Sequence, residues 1–530
     1  MKITLLDYGA GNVRSVVNAV ETLGATVERV RSAEDILKAE KLLFPGVGNY
    51  QTMIRILNEK NYIAPLRQYL AQDRPFFGIC LGMQALFEGS EEYTGDLESL
   101  GFFKGRVKRF TTDLAVPHMG WNGINLKQDS PLMDGIAADA RFYFVHSFHL
   151  APEDPEVVLT TTTYDYEFAS AVQQGNVMGT QFHPEKSGDN GIRLLKNFIT
   201  APDLHARGSI DVQGGSLSKR VIACLDVRSN DQGDLVVTKG DQYDVREDAG
   251  AVRNLGKPVE LARRYYEEGA DEVTFLNITG FRDFPLEDMP MLQVLEETSK
   301  NVFVPLTIGG GIRDFTDANG KEYTALEVAA RYFRSGADKI SIGSDAVAIA
   351  QAFLATGEKT GTSAIEEISR VYGAQAVVIS VDPQRVWVNR PEEAPNHTVM
   401  KSQETGPNGE RYCWYQCTIQ GGRKAVDLDA VNLARACEAL GAGEILLNCI
   451  DKDGTNSGFD HRLISAVKQA VTIPVIASSG AGCEAHFSEV FNETGADAAL
   501  AAGIFHRREV PIRAVKDHLQ EAGIPVRLTV

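Results

Sequence analysis

The second half of this chain repeats itself, and that repeat restricts its fold more than any other feature. Ala223-Cys224-Leu225-Asp226-Val227 matches Ile379-Ser380-Val381-Asp382-Pro383, and Gly269-Ala270-Asp271-Glu272 matches Gly441-Ala442-Gly443-Glu444. Further along, Val304-Pro305-Leu306-Thr307-Ile308-Gly309-Gly310-Gly311 matches Ile473-Pro474-Val475-Ile476-Ala477-Ser478-Ser479-Gly480, and Gly336-Ala337-Asp338-Lys339 matches Gly495-Ala496-Asp497-Ala498. Apolar runs of strand length alternate with helix-like stretches, a pattern that predicts parallel strands under covering helices. Four such units, twice over, fit a closed (β/α)8 TIM barrel with a half-barrel repeat. The alternative is an open doubly wound sheet, but two equivalent halves close more naturally.

A length of 530 residues exceeds what one core supports. The helix-like pattern Ile192, Leu194-Leu195, Phe198-Ile199 closes a first domain, and Ala201-Pro202, Gly208-Ser209 and Gly214-Gly215-Ser216 follow it. Small and polar residues there read as a linker. The expected division is residues 1–203, a linker over 204–218 and a barrel over 219–530. A formal net charge of -18 excludes a general nucleic-acid or anionic-membrane surface, so phosphate recognition must be local. Seven cysteines without C-x-x-C spacing suggest neither a disulfide framework nor a zinc site. A reducing, cytoplasmic location is expected, because the start of the chain is too short for a signal-peptide core and no membrane-spanning apolar run follows.

In the first domain Phe76-Phe77-Gly78-Ile79 reads as a buried strand and Leu81-Gly82-Met83-Gln84 as the start of a helix, leaving Cys80 on the turn between them. That is the geometry of a nucleophile elbow, whose flanking glycines permit a strained turn. A helix amino-terminus there favours thiolate over thiol. His183 and Glu185 stand two apart, so in an extended segment the carboxylate can orient the imidazole toward Cys80. The plainer reading of G-x-C-x-G is a packed cysteine, and of His183-Pro184-Glu185 a polar turn.

Together these motifs resemble the class I glutamine amidotransferases, over essentially all of residues 1–200. Asp7-Tyr8-Gly9-Ala10-Gly11-Asn12, Pro45-Gly46-Val47-Gly48, Pro117-His118-Met119-Gly120-Trp121-Asn122 and Tyr143-Phe144-Val145-His146-Ser147 are similar to the glutaminase partner of imidazole glycerol phosphate synthases. The resemblance implies an open α/β domain in which Cys80, His183 and Glu185 form a triad. It also implies that Gly46, Val47 and Gly48 supply backbone N–H donors to an oxyanion.

In the barrel, Asp226 and Asp382 end the first and fifth strands and face one mouth, as a general acid and base pair would. A lone strand-end aspartate is often only a helix cap. Gly309-Gly310-Gly311 and Ser478-Ser479-Gly480 end the third and seventh strands, and Gly343-Ser344 and Ala502-Gly503 the fourth and eighth. Two symmetric sets of small residues suggest two phosphates at the ends of one elongated substrate; tight strand-to-helix turning would also want glycine.

Residues 219–530 resemble the cyclase of imidazole glycerol phosphate synthases, and the whole chain resembles the fused, bifunctional form of fungi and plants. The resemblance implies that ammonia released from glutamine condenses with phosphoribulosyl-formimino-aminoimidazole carboxamide ribonucleotide (PRFAR), giving imidazole glycerol phosphate and aminoimidazole carboxamide ribonucleotide (AICAR) in histidine biosynthesis. Asp226 and Asp382 would then be the acid and base, Lys239 a mobile-loop lysine, and Asp453 and Gly454 a substrate-contacting pair. Two positions depart from separate cyclases: Asn277 stands where many have aspartate, and Gly343 where they tend to have asparagine. The resemblance further implies a charged ring of Arg220, Glu272, Lys339 and Glu444 at the barrel bottom, a Lys186–Asp338 pair joining the domains, and ammonia passing through the barrel. No cofactor, metal or separate subunit is expected. An isomerase of the preceding pathway intermediate, with a related two-aspartate barrel, is disfavoured by the glutaminase, and an inert scaffold by the intact triad. Residues 385–423 suggest a β-hairpin turning at Asn408-Gly409.

Overall fold

The computed structural model describes residues 1–9, 11–229, 235–238, 255–277, 290–317, 319–402 and 404–528. Lys239 lies outside the described residues. In the first domain, strands Thr26–Arg29, Lys2–Leu5, Leu42–Gly46, Phe76–Cys80 and Val177–Thr180 run parallel in that spatial order. The sheet continues antiparallel through Tyr166–Gln174, Val158–Tyr164, Asn125–Asp129 and Gly208–Val212. Phe76–Cys80 has parallel neighbours on both sides and is buried throughout, which is why its sequence is apolar without alternation.

The barrel is closed. Its parallel strands are Arg220–Ser229, Glu272–Asn277, Leu306–Gly309, Lys339–Ile342, Val377–Val381, Glu444–Asn448, Val475–Ser478 and Ala498–Ala501. Register Arg220↔Ala498 through Ala223↔Ala501 joins the last strand to the first. Period-two alternation puts Arg220, Ile222, Cys224 and Asp226 on one inner face of the first strand, spanning about 20 Å. Ile222, Cys224, Val378, Leu446, Ile476, Ala498, Leu500 and Ala502 pack inside the barrel as a cluster distinct from the main core. The covering helices start where the sequence caps them: Thr324 with Glu327, and Ser363 with Glu366, form capping boxes.

The 204–218 segment is ordered rather than a bare tether. Gly208–Val212 adds an edge strand to the first sheet, and a Cβ on Gly123 would collide with the Gly215 backbone; the small residues serve close packing. After the fifth barrel strand, Pro383–Val388, Met400–Lys401, Tyr412–Ile419 and Lys424–Asp429 form a separate four-stranded sheet. The Asn408-Gly409 turn is present, and it joins the second of these strands to the third.

The first domain sits on the barrel end where the strands begin. Trp121 Nε1 donates to the Asp271 carbonyl at 3.1 Å, Asn12 Nδ2 to Asp338 at 2.8 Å, and the Gly188 N–H to the Phe303 carbonyl at 3.0 Å.

Candidate active site

Cys80 occupies φ 52°, ψ -107°, directly before the short helix Leu81–Gln84. A left-handed φ on a residue with a side chain stores roughly 1–3 kcal/mol of strain. Glycine neighbours make the turn possible, because a Cβ on Gly82 would run into the Phe44 carbonyl oxygen. His183 Nδ1 lies 2.8 Å from Glu185 Oε1, both side chains being buried. Burial alone disfavours the imidazolium, but the Glu185 carboxylate and the charge of a Cys80 thiolate outweigh it and hold His183 well above its usual range. Its Nε2 makes no regular hydrogen bond among the described residues, while the Cys80 sulfur meets Gln181 Nε2 at 3.4 Å.

A cavity of about 540 Å³ opens beside Cys80 and Gly48. Gly46 is in register with Cys80 on the neighbouring strand, and of the Gly46-Val47-Gly48 turn only Gly48 lines the cavity. Tyr8 donates its hydroxyl to the Val47 carbonyl. Neither Val47 nor Gly48 gives its N–H to a protein acceptor among the described residues. The cavity also holds groups that sequence reasoning missed: Gln84, Glu91, Glu92 and Arg109, with barrel residues Ser369 and Gly373 to Gln375 forming a wall. Burial pushes the Glu92 carboxyl up to about 7, against hydrogen bonds from the Tyr50 N–H at 3.0 Å and the Asn49 amide at 2.8 Å. A Glu-Glu pair in a polar loop gives no sequence signal for such a position.

At the other end of the barrel a cavity of about 480 Å³ brings together Asp226, Asp382, Gly310, Gly311, Gly343, Ser344, Asp453, Gly454, Ser479, Gly480, Ala502 and Gly503. Every barrel-mouth residue singled out from sequence lines it except Lys239, which is not described. The half-repeat extends to the environment of the two aspartates: Cys224 Sγ is 4.0 Å from Asp226 Oδ1, and Ser380 Oγ is 3.5 Å from Asp382 Oδ1. It breaks at the next strand. Asn448 donates to Asp382 at 2.8 Å, whereas the equivalent position in the first half is Leu276, which cannot donate. Desolvation raises the Asp382 carboxyl, Asn448 and Ser380 oppose this, and the nearby Asp453 charge adds to it. Asn448 was legible in principle, since Glu444, Leu446 and Asn448 alternate onto the inner face.

Glycine at these turns has a packing reason as well. A Cβ on Gly310 would strike the Asn277 carbonyl, and one on Gly480 the Gly458 carbonyl. Gly343 and Ala502 both precede helix starts, at Ser344–Thr356 and Gly503–His506. Arg228, Arg313, Arg423 and Arg507 border the cavity and add cationic character that the sequence reading did not assign. Gln420, Gly421 and Arg423 belong to the connection between the last two strands of the inserted sheet, so the insertion helps wall the mouth.

Between the two cavities lies a closed ring. Arg220 meets Glu272 at 3.1 Å and Glu444 at 2.5 Å, and Lys339 meets each of those carboxylates at 2.7 Å. All four side chains are at most 1% exposed. Met119 Sδ, from the first domain, lies 3.7 Å from Lys339 Nζ. Lys186 pairs with Asp338 at 2.8 Å. Neither cavity is lined by a ring residue.

Comparison with known proteins agrees with both halves. A glutamine amidotransferase class-I family model matches residues 4–201, and a model described as histidine biosynthesis protein matches residues 220–511. The chloroplastic imidazole glycerol phosphate synthase hisHF of Arabidopsis thaliana is 56% identical over 99% of this chain and 89% of its own. The hisHF protein of Schizosaccharomyces pombe is 54% identical over 99% of this chain and 100% of its own. The HisF subunit of Methanocaldococcus jannaschii is 41% identical over 59% of this chain and 99% of its own. With a family model across more than half its length and relatives this similar end to end, the chain belongs to the imidazole glycerol phosphate synthase hisHF family, enzymes that carry a glutamine amidotransferase and a histidine-biosynthesis cyclase on one polypeptide.

Proposed function

We propose that residues 1–203 hydrolyse glutamine and that residues 219–530 use the released ammonia, with 204–218 joining the two. The Cys80 thiolate attacks the glutamine side-chain carbonyl, and Val47 and Gly48 N–H groups stabilise the oxyanion. His183 protonates the departing ammonia, and water then cleaves the thioester to glutamate. A free amino acid carries an ammonium and a carboxylate, and the opposite charges of Glu91 and Arg109 in the same cavity complement both. Ammonia passes the opened ring and moves along the barrel interior, where Ser341 Oγ is buried without a partner among the described residues. At the mouth, Asp226 and Asp382 act as acid and base while ammonia condenses with PRFAR, giving imidazole glycerol phosphate and AICAR. The glycine and serine turns and the bordering arginines hold its two phosphates.

The observation that carries this reading is that Arg220 and Asp226 share one inner strand face, so the ring that meets the glutaminase domain and the aspartate pair terminate the same barrel interior. Because both activities lie on one chain, no separate ammonia-supplying subunit is required. Seven cysteines, none of them in a disulfide, suit a reducing, cytoplasmic setting. The test supplies PRFAR with either glutamine or an ammonium salt. Cys80→Ala should lose the glutamine reaction and keep the ammonia reaction, and Asp226→Asn should lose both. Ammonia-driven turnover surviving Asp226→Asn would remove that aspartate from the chemistry.

A further inference from the structure

The inserted sheet contributes one residue whose contacts point away from the cavity and toward the loop that lines it. Arg385 stands three residues after Asp382, and its side chain is only 9% exposed. One guanidinium nitrogen meets Asp460 at 2.6 Å, another meets Glu404, and the Arg385 backbone N–H donates to Asp451 at 2.7 Å. Trp387 and Tyr415 flank its cation at 5.2 and 5.8 Å. Lys452 closes the network by reaching Glu404 at 3.3 Å.

Asp451 and Asp460 bracket the loop after the sixth barrel strand, and between them lie Asp453, Gly454 and Asn456, all of which line the cavity. Asp460 is a strong anchor in its own right. It accepts the Tyr415 hydroxyl at 2.8 Å and caps helix His461–Ala470 through the Leu463 N–H at 3.1 Å. The middle of the loop rests on the seventh-strand turn through the Gly458 N–H and the Gly480 carbonyl at 2.8 Å. One residue three positions after Asp382 therefore reaches both ends of the loop, Asp460 through its guanidinium and Asp451 through its backbone N–H.

We infer that Arg385 is a positioning residue for the cyclase reaction, fixing the loop that carries Asp453 and Gly454 against Asp382 and making the inserted sheet part of the substrate site. Arg385 is not among the cavity-lining residues, so its effect travels through the loop. This inference rests on the barrel mouth being the PRFAR site.

The experiment uses the full chain and measures ammonia-driven turnover of PRFAR. A misplacement of about 1 Å can cost on the order of 100-fold in rate. Arg385→Ala should therefore lower kcat/KM for PRFAR on the order of 100-fold, with a raised KM accounting for part of the loss. Simple loss of folded enzyme lowers kcat at unchanged KM, so the KM rise separates positioning from instability. PRFAR-independent glutaminase activity serves as the folding control and should be unchanged. Arg385→Lys keeps the charge but not the fork and should retain intermediate activity, covering the case in which the alanine variant does not fold. Asp460→Asn preserves a capping side chain while removing the charge; combined with Arg385→Lys, it should cost little beyond either change alone. An unchanged KM in both Arg385 variants, or losses that multiply in the double variant, would overturn the inference. Asp382→Asn is assayed in parallel: if it keeps ammonia-driven turnover, the cyclase reading itself fails, whereas its loss beside a fully active Arg385→Ala defeats the positioning role alone.

Discussion

Glu444 holds two of the four links in the buried ring, to Arg220 at 2.5 Å and to Lys339 at 2.7 Å. Replacing it by glutamine keeps the shape and leaves two cations facing the single carboxylate of Glu272, with no exposed surface to relieve the surplus charge. Removing one partner of a buried ion pair costs about 3–5 kcal/mol, a large share of the roughly 5–15 kcal/mol that holds a domain folded. A second change, Lys339→Met, restores neutrality and leaves Arg220 paired with Glu272 at 3.1 Å. The double variant should therefore be more stable than Glu444→Gln alone, by at least about 1–2 kcal/mol. Urea unfolding followed by circular dichroism measures this. Acid adds a second reading. Burial raises the Glu444 carboxyl, but Arg220 and Lys339 overcome that and hold it below its usual range. Its contribution is thus complete above the unfolded glutamate value of about 4.3 and is lost as pH falls through the lower folded value; the glutamine variant should lack that step. A single-variant cost below about 1 kcal/mol, or a double variant whose losses simply add, would refute a ring stabilised by mutual neutralisation.

Two further outcomes follow from the glutaminase cavity. Burial favours the protonated form of Glu92, so its contribution to stability is complete below the ordinary glutamate range and is lost as pH rises through about 7; Glu92→Gln should flatten the decline in thermal stability across that window while raising KM for glutamine. Gly82→Ala places a Cβ against the Phe44 carbonyl and should displace Cys80, lowering glutaminase kcat on the order of 100-fold while ammonia-driven cyclase activity persists. Wild-type glutaminase kinetics in that variant would show that the elbow tolerates movement.

Much of this architecture is legible because the relevant constraints are periodic or local. Closure of the barrel follows from matched pairs such as Asp226 with Asp382, and the elbow from glycines on both sides of Cys80. Alternation also accounts for the ring, since Arg220 and Asp226 are six residues apart and share a face. What the sequence hid were contacts made across long separations. Glu92 joins the Cys80 cavity through a loop with no repeating pattern, and Arg385 meets Asp460 across 75 residues. Ser369 and Gly373 to Gln375 wall the glutaminase cavity only because the two domains dock. The linker misled in one respect: glycine there permits backbone packing against Gly123, a use indistinguishable by composition from flexibility.

The account turns on ammonia that travels from Cys80 to the aspartate pair without mixing with solvent. Glutamine labelled with nitrogen-15 in its side-chain amide, supplied together with PRFAR and a large excess of unlabelled ammonium at neutral pH, tests this directly. Imidazole glycerol phosphate should carry the label in nearly every molecule formed by glutamine-driven turnover, after subtraction of the ammonium-driven rate measured with Cys80→Ala. Label diluted to the isotopic composition of the bulk ammonium pool would contradict internal transfer.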